Sequence, residues 1–326
     1  MTRVFSGIQP SGELHIGNYL GAVKNWVQIQ SRHESFFCVV DLHAITIPYE
    51  PAALRERTQA LALTLFAAGL DPARCSVFVQ SAVREHTELQ WLFNTVTPLG
   101  ELERQVQFKE KSARQEQVLA GILNYPVLQA ADILLYRADT VPVGEDQVQH
   151  LELSRVIARN WNTRFAADFF PEPKPLLTPT RRIMGLDGQA KMSKSMGNTI
   201  GLLDAPDVVW NKLRPAVTDP KRIKKTDPGD PDVCNIFQLH KAFSPAETVA
   251  DVERQCRSAG WGCIDCKKAL HGHMTAELVP IQARAAELSA TPGRLAEALG
   301  DGAAKARAVA QETMRAVRDH MGLVQG

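Results

Sequence analysis

Apolar residues recur along this chain in two rhythms. Short, near-continuous apolar runs alternate with longer stretches in which every third or fourth residue is apolar. Arg3 to Ile8 is the first run and reads as a buried strand. A turn with Pro10, Ser11 and Gly12 follows, and an amphipathic helix is predicted from about Ile16 to Gln30. Phe36 to Val40 and Cys75 to Gln80 repeat the strand pattern. Between them Leu54, Thr58, Leu61 and Leu65 keep a helical period over Pro51 to Gly69, where the glycine ends the helix. Strand and helix alternating at this spacing predict an α/β chain built on a doubly wound parallel sheet of Rossmann type.

Helices with aromatic and mixed-charge faces are expected between His86 and Lys111. Another is expected from Asn124 to Tyr136, with Asn124 as N-cap and Pro126 in the first turn. Thr140 to Val143 reads as a short strand, Pro171, Pro173, Pro175 and Pro179 as a boundary loop, and Arg182 to Gly185 as a brief strand. From Asp204 to about Gly302 the pattern is mainly helical, broken by a charged turn at Asp219 to Asp230. A last helix is predicted from Ala303 to Met321. The chain thus divides into a Rossmann-type domain over residues 1–186 and a smaller C-terminal all-helical domain over residues 187–294. The final helix, about 295–326, is expected to pack back on the first domain.

A chain of 326 residues is long enough for one large domain and a smaller one. An apolar content of 44% with 22% charged residues is ordinary for a soluble globular protein, and a net charge of +1 gives no global basic field. The first residues lack the apolar core of a signal peptide and no run of about 18 apolar residues occurs, so a cytoplasmic protein with no membrane span is expected. Cys38 and Cys75 fall within predicted strands and read as small buried hydrophobes. Cys234, Cys256, Cys263 and Cys266 are separated by 21, 6 and 2 residues. Four thiolates suit a 4Fe–4S cluster or a tetrahedral zinc, with free thiols as the third reading.

Two stretches carry the chemistry. Strand, Gln9-Pro10-Ser11-Gly12 turn and the helix start at His15-Ile16-Gly17-Asn18 gather backbone N–H groups where an anion can bind. No G-x-G-x-x-G and no G-K-[ST] is present, so neither the dinucleotide fingerprint nor a P-loop explains it. Gly17 lets a flat base approach the backbone, while His15 and Asn18 can donate to phosphate oxygens. Far downstream, Lys191-Met192-Ser193-Lys194-Ser195 puts two ammonium groups and two hydroxyls within five residues. Alone, it would read as a solvated basic loop. On the helix after Asn124, Tyr125, Gln129 and Asp132 share one face. Burying Asp132 among Ala, Leu and Ile is costly unless it is paired, and an acceptor-only carboxylate complements a donor-only indole N–H. His43 stands just past the carboxyl end of a strand, where parallel sheets place ligands, although a structural histidine fits there too.

Together these stretches resemble the HIGH and KMSKS signatures of class I aminoacyl-tRNA synthetases. The wording FSGIQPSGELHIGN, FFCVVDLHAIT, GELERQVQFKEK, YPVLQAADILLY, VPVGEDQ and RIMGLDGQAKMSKS is similar to that of the bacterial tryptophanyl-tRNA synthetases. The likeness is dense over the first two hundred residues and thinner beyond. It implies a homodimer that uses ATP and Mg²⁺ to convert L-tryptophan to tryptophanyl-adenylate, then transfers it to tRNA(Trp), releasing pyrophosphate and AMP. It implies catalytic roles for His15, Asn18, Lys191 and Lys194, with Lys111 in the same role. Gln9, Pro10, Ser11, Gly17, Asn18, Gly144, Glu145, Asp146, Ile183, Lys191, Met192, Ser193, Lys194 and Ser195 would hold ATP. Phe5, Gly7, Gln9, His43, Tyr125, Gln129, Asp132, Val141, Val143 and Gln147 would form the tryptophan pocket. Family members usually carry methionine where this chain has Gln129, which adds a donor and an acceptor there. The helical domain would read the anticodon. A subset of the family holds an iron–sulfur cluster on four cysteines of closely similar spacing, one residue longer in the first gap. The resemblance therefore favours 4Fe–4S on Cys234, Cys256, Cys263 and Cys266, with zinc as the alternative.

Three rival readings fit less of the chain. Tyrosyl-tRNA synthetases place a tyrosine where Phe5 stands. A small-molecule adenylyltransferase needs neither the KMSKS loop nor a C-terminal helical domain. A catalytically silent tRNA- or protein-binding paralogue is disfavoured by the intact His15, Gly17, Lys191, Lys194 and Asp132.

Overall fold

The computed structural model describes residues 2–105, 108, 118–143, 148–165, 168–177, 183–193 and 196–324. Its centre is a five-stranded sheet of β1 (Arg3–Ile8), β2 (Glu34–Val39), β3 (Ser76–Val79), β4 (Thr140–Val143) and β5 (Lys174–Leu177), in the order β3-β2-β1-β4-β5 with every pairing parallel. Successive side chains on a strand face opposite sides. Phe36 and Cys38 accordingly join one buried cluster, with Phe5, Phe78, Tyr136 and Trp161. Phe37 and Val39 join the other, with Trp26, Leu65 and Val77. Burial on both faces is why these strands read as continuous apolar runs.

The helices in chain order are α1 (Ile16–Asn18), α2 (Lys24–Ile29), α3 (Asp41–Ala44), α4 (Pro51–Ala67), α5 (Glu85–Asn94), α6 (Leu99–Glu103), α7 (Ala120–Leu134), α8 (Val148–Phe165), α9 (Pro206–Leu213), α10 (Asn235–Phe243), α11 (Ala246–Arg257), α12 (Cys263–Ala290) and α13 (Pro292–Met321). The parallel sheet and the helical C-terminal region match the sequence pattern. Several boundaries differ from it.

The expected first helix is interrupted by a π-helical turn at Tyr19–Val23, where the Lys24 N–H bonds back to the Tyr19 carbonyl. Helix α7 starts four residues before Asn124, because the buried face already includes Ile122; Leu119 is its N-cap. Pro126 therefore lies inside the helix, where it lacks the N–H that the Ile122 carbonyl would otherwise receive. The stretch expected to be a boundary loop contains β5, and Pro175 is tolerated there because β5 is an edge strand. Of the brief strand expected at Arg182 to Gly185, Arg182 lies outside the described residues, and residues 183–185 contribute a single bridge, between Met184 and Lys191. The last helix begins at Pro292 rather than Ala303 and ends on Gly322 in the left-handed region.

At the other edge of the sheet, α13 lies along β3. A Cβ on Gly302 would come within 2.0 Å of the Val77 carbonyl oxygen, so the helix backbone rests directly on the strand. Lys305 donates to the Pro72 carbonyl at 2.8 Å, Arg307 to that of Ala82 at 2.6 Å, and Arg318 clasps Glu88 with two bonds. This covers an edge that would otherwise invite pairing with another chain. Among the described residues no helix is long and apolar enough to cross a membrane.

Candidate active site

The turn after β1 leads into a short reciprocal cap. The Asn18 N–H donates to His15 Nδ1 and the His15 N–H donates to Asn18 Oδ1, both at 3.3 Å. This polarises both side chains. With Nδ1 accepting, the neutral His15 ring carries its hydrogen on Nε2, and with Oδ1 accepting, Asn18 keeps its amide hydrogens as donors. Both donor ends are of the kind that a phosphate needs. Pro10 is buried, while Gln9 and Ser11 are exposed.

The lysine-rich loop folds back onto this turn. The Ile16 N–H bonds the Ile200 carbonyl at 3.0 Å and the Leu202 N–H bonds that of Leu14 at 2.8 Å. A Cβ on Gly17 would sit 3.5 Å from Met192 Cβ, so the two signatures are in contact although 175 residues apart in the chain. Met192 and Ile183 are buried and joined through the Met192 N–H to the Ile183 carbonyl at 3.3 Å. The Ser193 N–H donates to Asn198 Oδ1 at 2.8 Å, and Asn198 Nδ2 donates to Asp187 Oδ2 at 2.9 Å. Lys191 is exposed. Lys111, Gly144, Glu145, Asp146, Gln147, Lys194 and Ser195 lie outside the described residues.

Asp132 is 1% exposed and bonded from three directions. Its Oδ2 is 2.7 Å from His43 Nε2. Its Oδ1 is 2.6 Å from both Gln80 Nε2 and His86 Nδ1. Burial by itself would push this carboxyl up. The His43 charge and the bonds from His43 and His86 outweigh it and hold the group well below the usual carboxylate range. Tyr136 continues the network, its hydroxyl 2.8 Å from His86 Nε2. Burial and the nearby acidic groups keep that hydroxyl protonated by raising it well above its ordinary value. Phe5 stacks on Tyr136 with the rings 5.5 Å apart.

Sequence reasoning placed His43, Asp132 and Phe5 near one another. It missed Gln80, His86 and Tyr136. Gln80 and His86 follow the end of β3 as His43 follows β2, so polar residues past the carboxyl end of a parallel strand were the available signal. Tyr136, inside an apolar run, gave none. Tyr125 is buried, edge-on to His43 at 6.3 Å, with its hydroxyl pushed up to about 12 by burial. Val141 is buried and Val143 half-buried. Gly7 leaves no room for a side chain, since a Cβ would fall 2.7 Å from Val40. Gln129 is half-buried, and the bonds to Asp132 come from His43, Gln80 and His86 instead.

In the helical region the four cysteines line one cavity with Asp219, Arg222 and Trp261. Cys234 caps α10, Cys256 lies in the last turn of α11, and Cys263 and Cys266 occupy the first turn of α12. Burial, then the charges of the other three, pushes the Cys266 thiol up to about 12. Arg222 approaches Cys263 Sγ at 3.9 Å. Among the described residues no three histidine, cysteine or acidic side chains converge tightly enough to grip a single ion. Zinc would draw four sulfurs to about 2.3 Å from one point. An iron–sulfur cube spreads its thiolates around a larger body. Four cysteine side chains around one cavity are a donor set that either group could use.

The family model described as "tRNA synthetases class I (W and Y)" matches residues 1–278. A tryptophan–tRNA ligase of Deinococcus radiodurans is 54% identical over the whole of both chains. One from Parasynechococcus marenigrum is 48% identical over 99% of this chain and 98% of its own. The crystal structure of tryptophanyl-tRNA synthetase from Campylobacter jejuni, complexed with ADP and tryptophan, superposes with a TM-score of 0.89. It is 36% identical and covers 98% of this chain and all of its own. With its two signatures in contact above a parallel sheet, the chain belongs to the class I tRNA synthetases and, within them, to the bacterial tryptophanyl-tRNA synthetases.

Proposed function

We propose that this tryptophan–tRNA ligase performs its reaction through the residues assembled around β1. In the first step the tryptophan carboxylate attacks the α-phosphorus of ATP and pyrophosphate leaves. In the second, a hydroxyl of the terminal adenosine of tRNA(Trp) attacks the adenylate carbonyl and AMP leaves. Neither step needs a nucleophile from the protein, so positioning and charge stabilisation supply the catalysis. His15 and Asn18 steady the phosphates by donating to their oxygens. Lys191 and Lys194, with Lys111 in support, follow the charge that grows on pyrophosphate and its Mg²⁺. Gly144, Glu145 and Asp146 hold the ribose, and Ile183 meets the adenine with its backbone. Asp132 accepts the indole N–H, and Tyr125, Val141, Val143 and Gln147 shape the rest of the pocket. The contact of Met192 with Gly17 carries this reading, because it brings the two phosphate-handling stretches to one place.

Cys234, Cys256, Cys263 and Cys266 would hold the 4Fe–4S cluster. Held there it would act as a cross-link between α10, α11 and α12. It would brace the helical region, residues 187–294, which we assign to reading the anticodon. A second copy of the chain completes the enzyme as a homodimer, in the cytoplasm.

Amino-acid-dependent ATP–pyrophosphate exchange tests the activation step. Tryptophan, tyrosine and phenylalanine are run side by side on anaerobically purified protein. Exchange with tryptophan alone is the expected result. Exchange with tyrosine would overturn the role given to Asp132, and no exchange from folded protein would overturn the mechanism.

A further inference from the structure

The Asp132 carboxylate is a saturated acceptor but for one position. An ionised carboxylate has about four acceptor positions. Among the described residues, His86 and Gln80 fill both on Oδ1 and His43 fills one on Oδ2. The three donors come from three elements: α3, the 3₁₀ turn after β3, and the first turn of α5. Rotation of the carboxylate would break bonds to all of them at once.

His86 is itself fixed. It is fully buried, and its second nitrogen meets the Tyr136 hydroxyl. That hydroxyl has a hydrogen to give, so the tautomer satisfying both neighbours accepts at Nε2 and donates from Nδ1 to Asp132. Tyr136 is fixed in turn by rings on three strands: Phe5, Phe36 and Phe78, at 5.5, 4.5 and 5.8 Å between centroids. The sheet thereby sets the direction of one lone pair.

We propose that His86 and Gln80 are positioning residues for amino-acid selection, holding Asp132 so that only its last acceptor position, on Oδ2, is open to the substrate. An in-plane ring N–H is accepted along that one direction. A phenol O–H, which sits farther out on a smaller ring and points differently, has no second acceptor position to fall back on. This deepens the assignment of Asp132 as the indole acceptor and rests on it.

The test compares kcat/KM in ATP–pyrophosphate exchange for tryptophan, for tyrosine and for 3-benzothienylalanine, in which sulfur replaces the indole N–H. A site built around a hydrogen bond discriminates against the analogue lacking it by about 10⁴-fold. In His86→Leu the ratio of tryptophan to the sulfur analogue should fall at least about 100-fold. KM for tryptophan should rise while kcat stays within about tenfold, and tyrosine should begin to support exchange. His86→Asn, whose amide can donate from the place of Nδ1, should restore most of the ratio. Gln80→Leu removes the other Oδ1 bond and should behave as His86→Leu does; it decides the matter alone should His86→Leu not fold. If both leucine variants lose all substrates in equal proportion and keep the ratio, the proposal is wrong and the two residues merely support the core. Asp132→Ala, which leaves no acceptor, separates this from the underlying assignment. A ratio unchanged in Asp132→Ala would remove Asp132 as the indole acceptor. A ratio that collapses there but survives in both leucine variants would overturn the positioning role alone.

Discussion

The Tyr19 hydroxyl lies 2.8 Å from a carboxylate oxygen of Glu277, 258 residues further along the chain. Lys24 reaches the same oxygen at 2.7 Å. Tyr19 belongs to the π-helical turn that immediately follows His15 and Asn18, and Glu277 lies midway along α12, the helix that begins with Cys263. Burial, reinforced by Glu277, raises the Tyr19 hydroxyl above its ordinary value and keeps it a donor. One carboxylate therefore couples the element that follows the His15–Asn18 turn to the helical region.

Glu277→Ala should loosen that coupling. A charged bond at a half-buried site is worth about 1–2 kcal/mol. Urea melts should show a loss of that size. KM for ATP should rise several-fold while KM for tryptophan holds, because the contact bears on the turn with His15 and Asn18 and not on Asp132. Equal effects on both substrates would argue that Glu277 contributes general stability only.

Two glycines of α13 should respond in opposite senses to the same change. Gly302→Ala drives a Cβ into the Val77 backbone, which has no side chain to swing aside. The helix must lift from β3, at a cost of about 2–4 kcal/mol. Gly300 has open space around its Cβ position in the same helix, so Gly300→Ala should stabilise by about 0.5–1 kcal/mol. Thermal melts of the two variants provide the check.

Residues close in sequence were the most legible. The strands β1 to β3 could be read because burial on both faces leaves no polar interruption, and the turn at His15 because its donors are consecutive. Strand β5 was hidden by Pro175, whose tolerance depends on the strand being at the edge, a fact of sheet order. The π turn after Asn18 leaves the apolar period almost unchanged. The pairing of Asp132 with His86 and Gln80 spans some fifty residues and two elements, and no local pattern encodes it. Asp132 itself was legible as a charge that needed partners; which partners was a question of topology.

The cysteine cavity gives a prediction about composition. Anaerobically purified protein should contain about four irons per chain and absorb broadly in the visible. One zinc per chain and no colour would favour the alternative. Removing the metal by chelation, or substituting Cys266→Ser, should impair tRNA aminoacylation more than ATP–pyrophosphate exchange. The cavity lies among α10, α11 and α12, apart from the turn at His15.

Asp132 also sets a pH dependence. Its carboxyl is held below the ordinary value near 4 in the folded chain, so the unfolded chain binds the proton more readily. The stabilisation is then fully present above the unfolded value and is lost as pH falls toward the folded one. Asp132→Asn removes the charge and puts an amide N–H where an acceptor is needed, beside donors from His43, Gln80 and His86. At neutral pH that variant should be less stable by about 3 kcal/mol. Between pH 4 and the acid unfolding limit the difference from wild type should shrink, since the wild-type carboxyl gives up its advantage while the amide does not titrate. A constant difference across that range, in denaturant melts at matched ionic strength, would mean that the histidine pair does not hold the charge on Asp132.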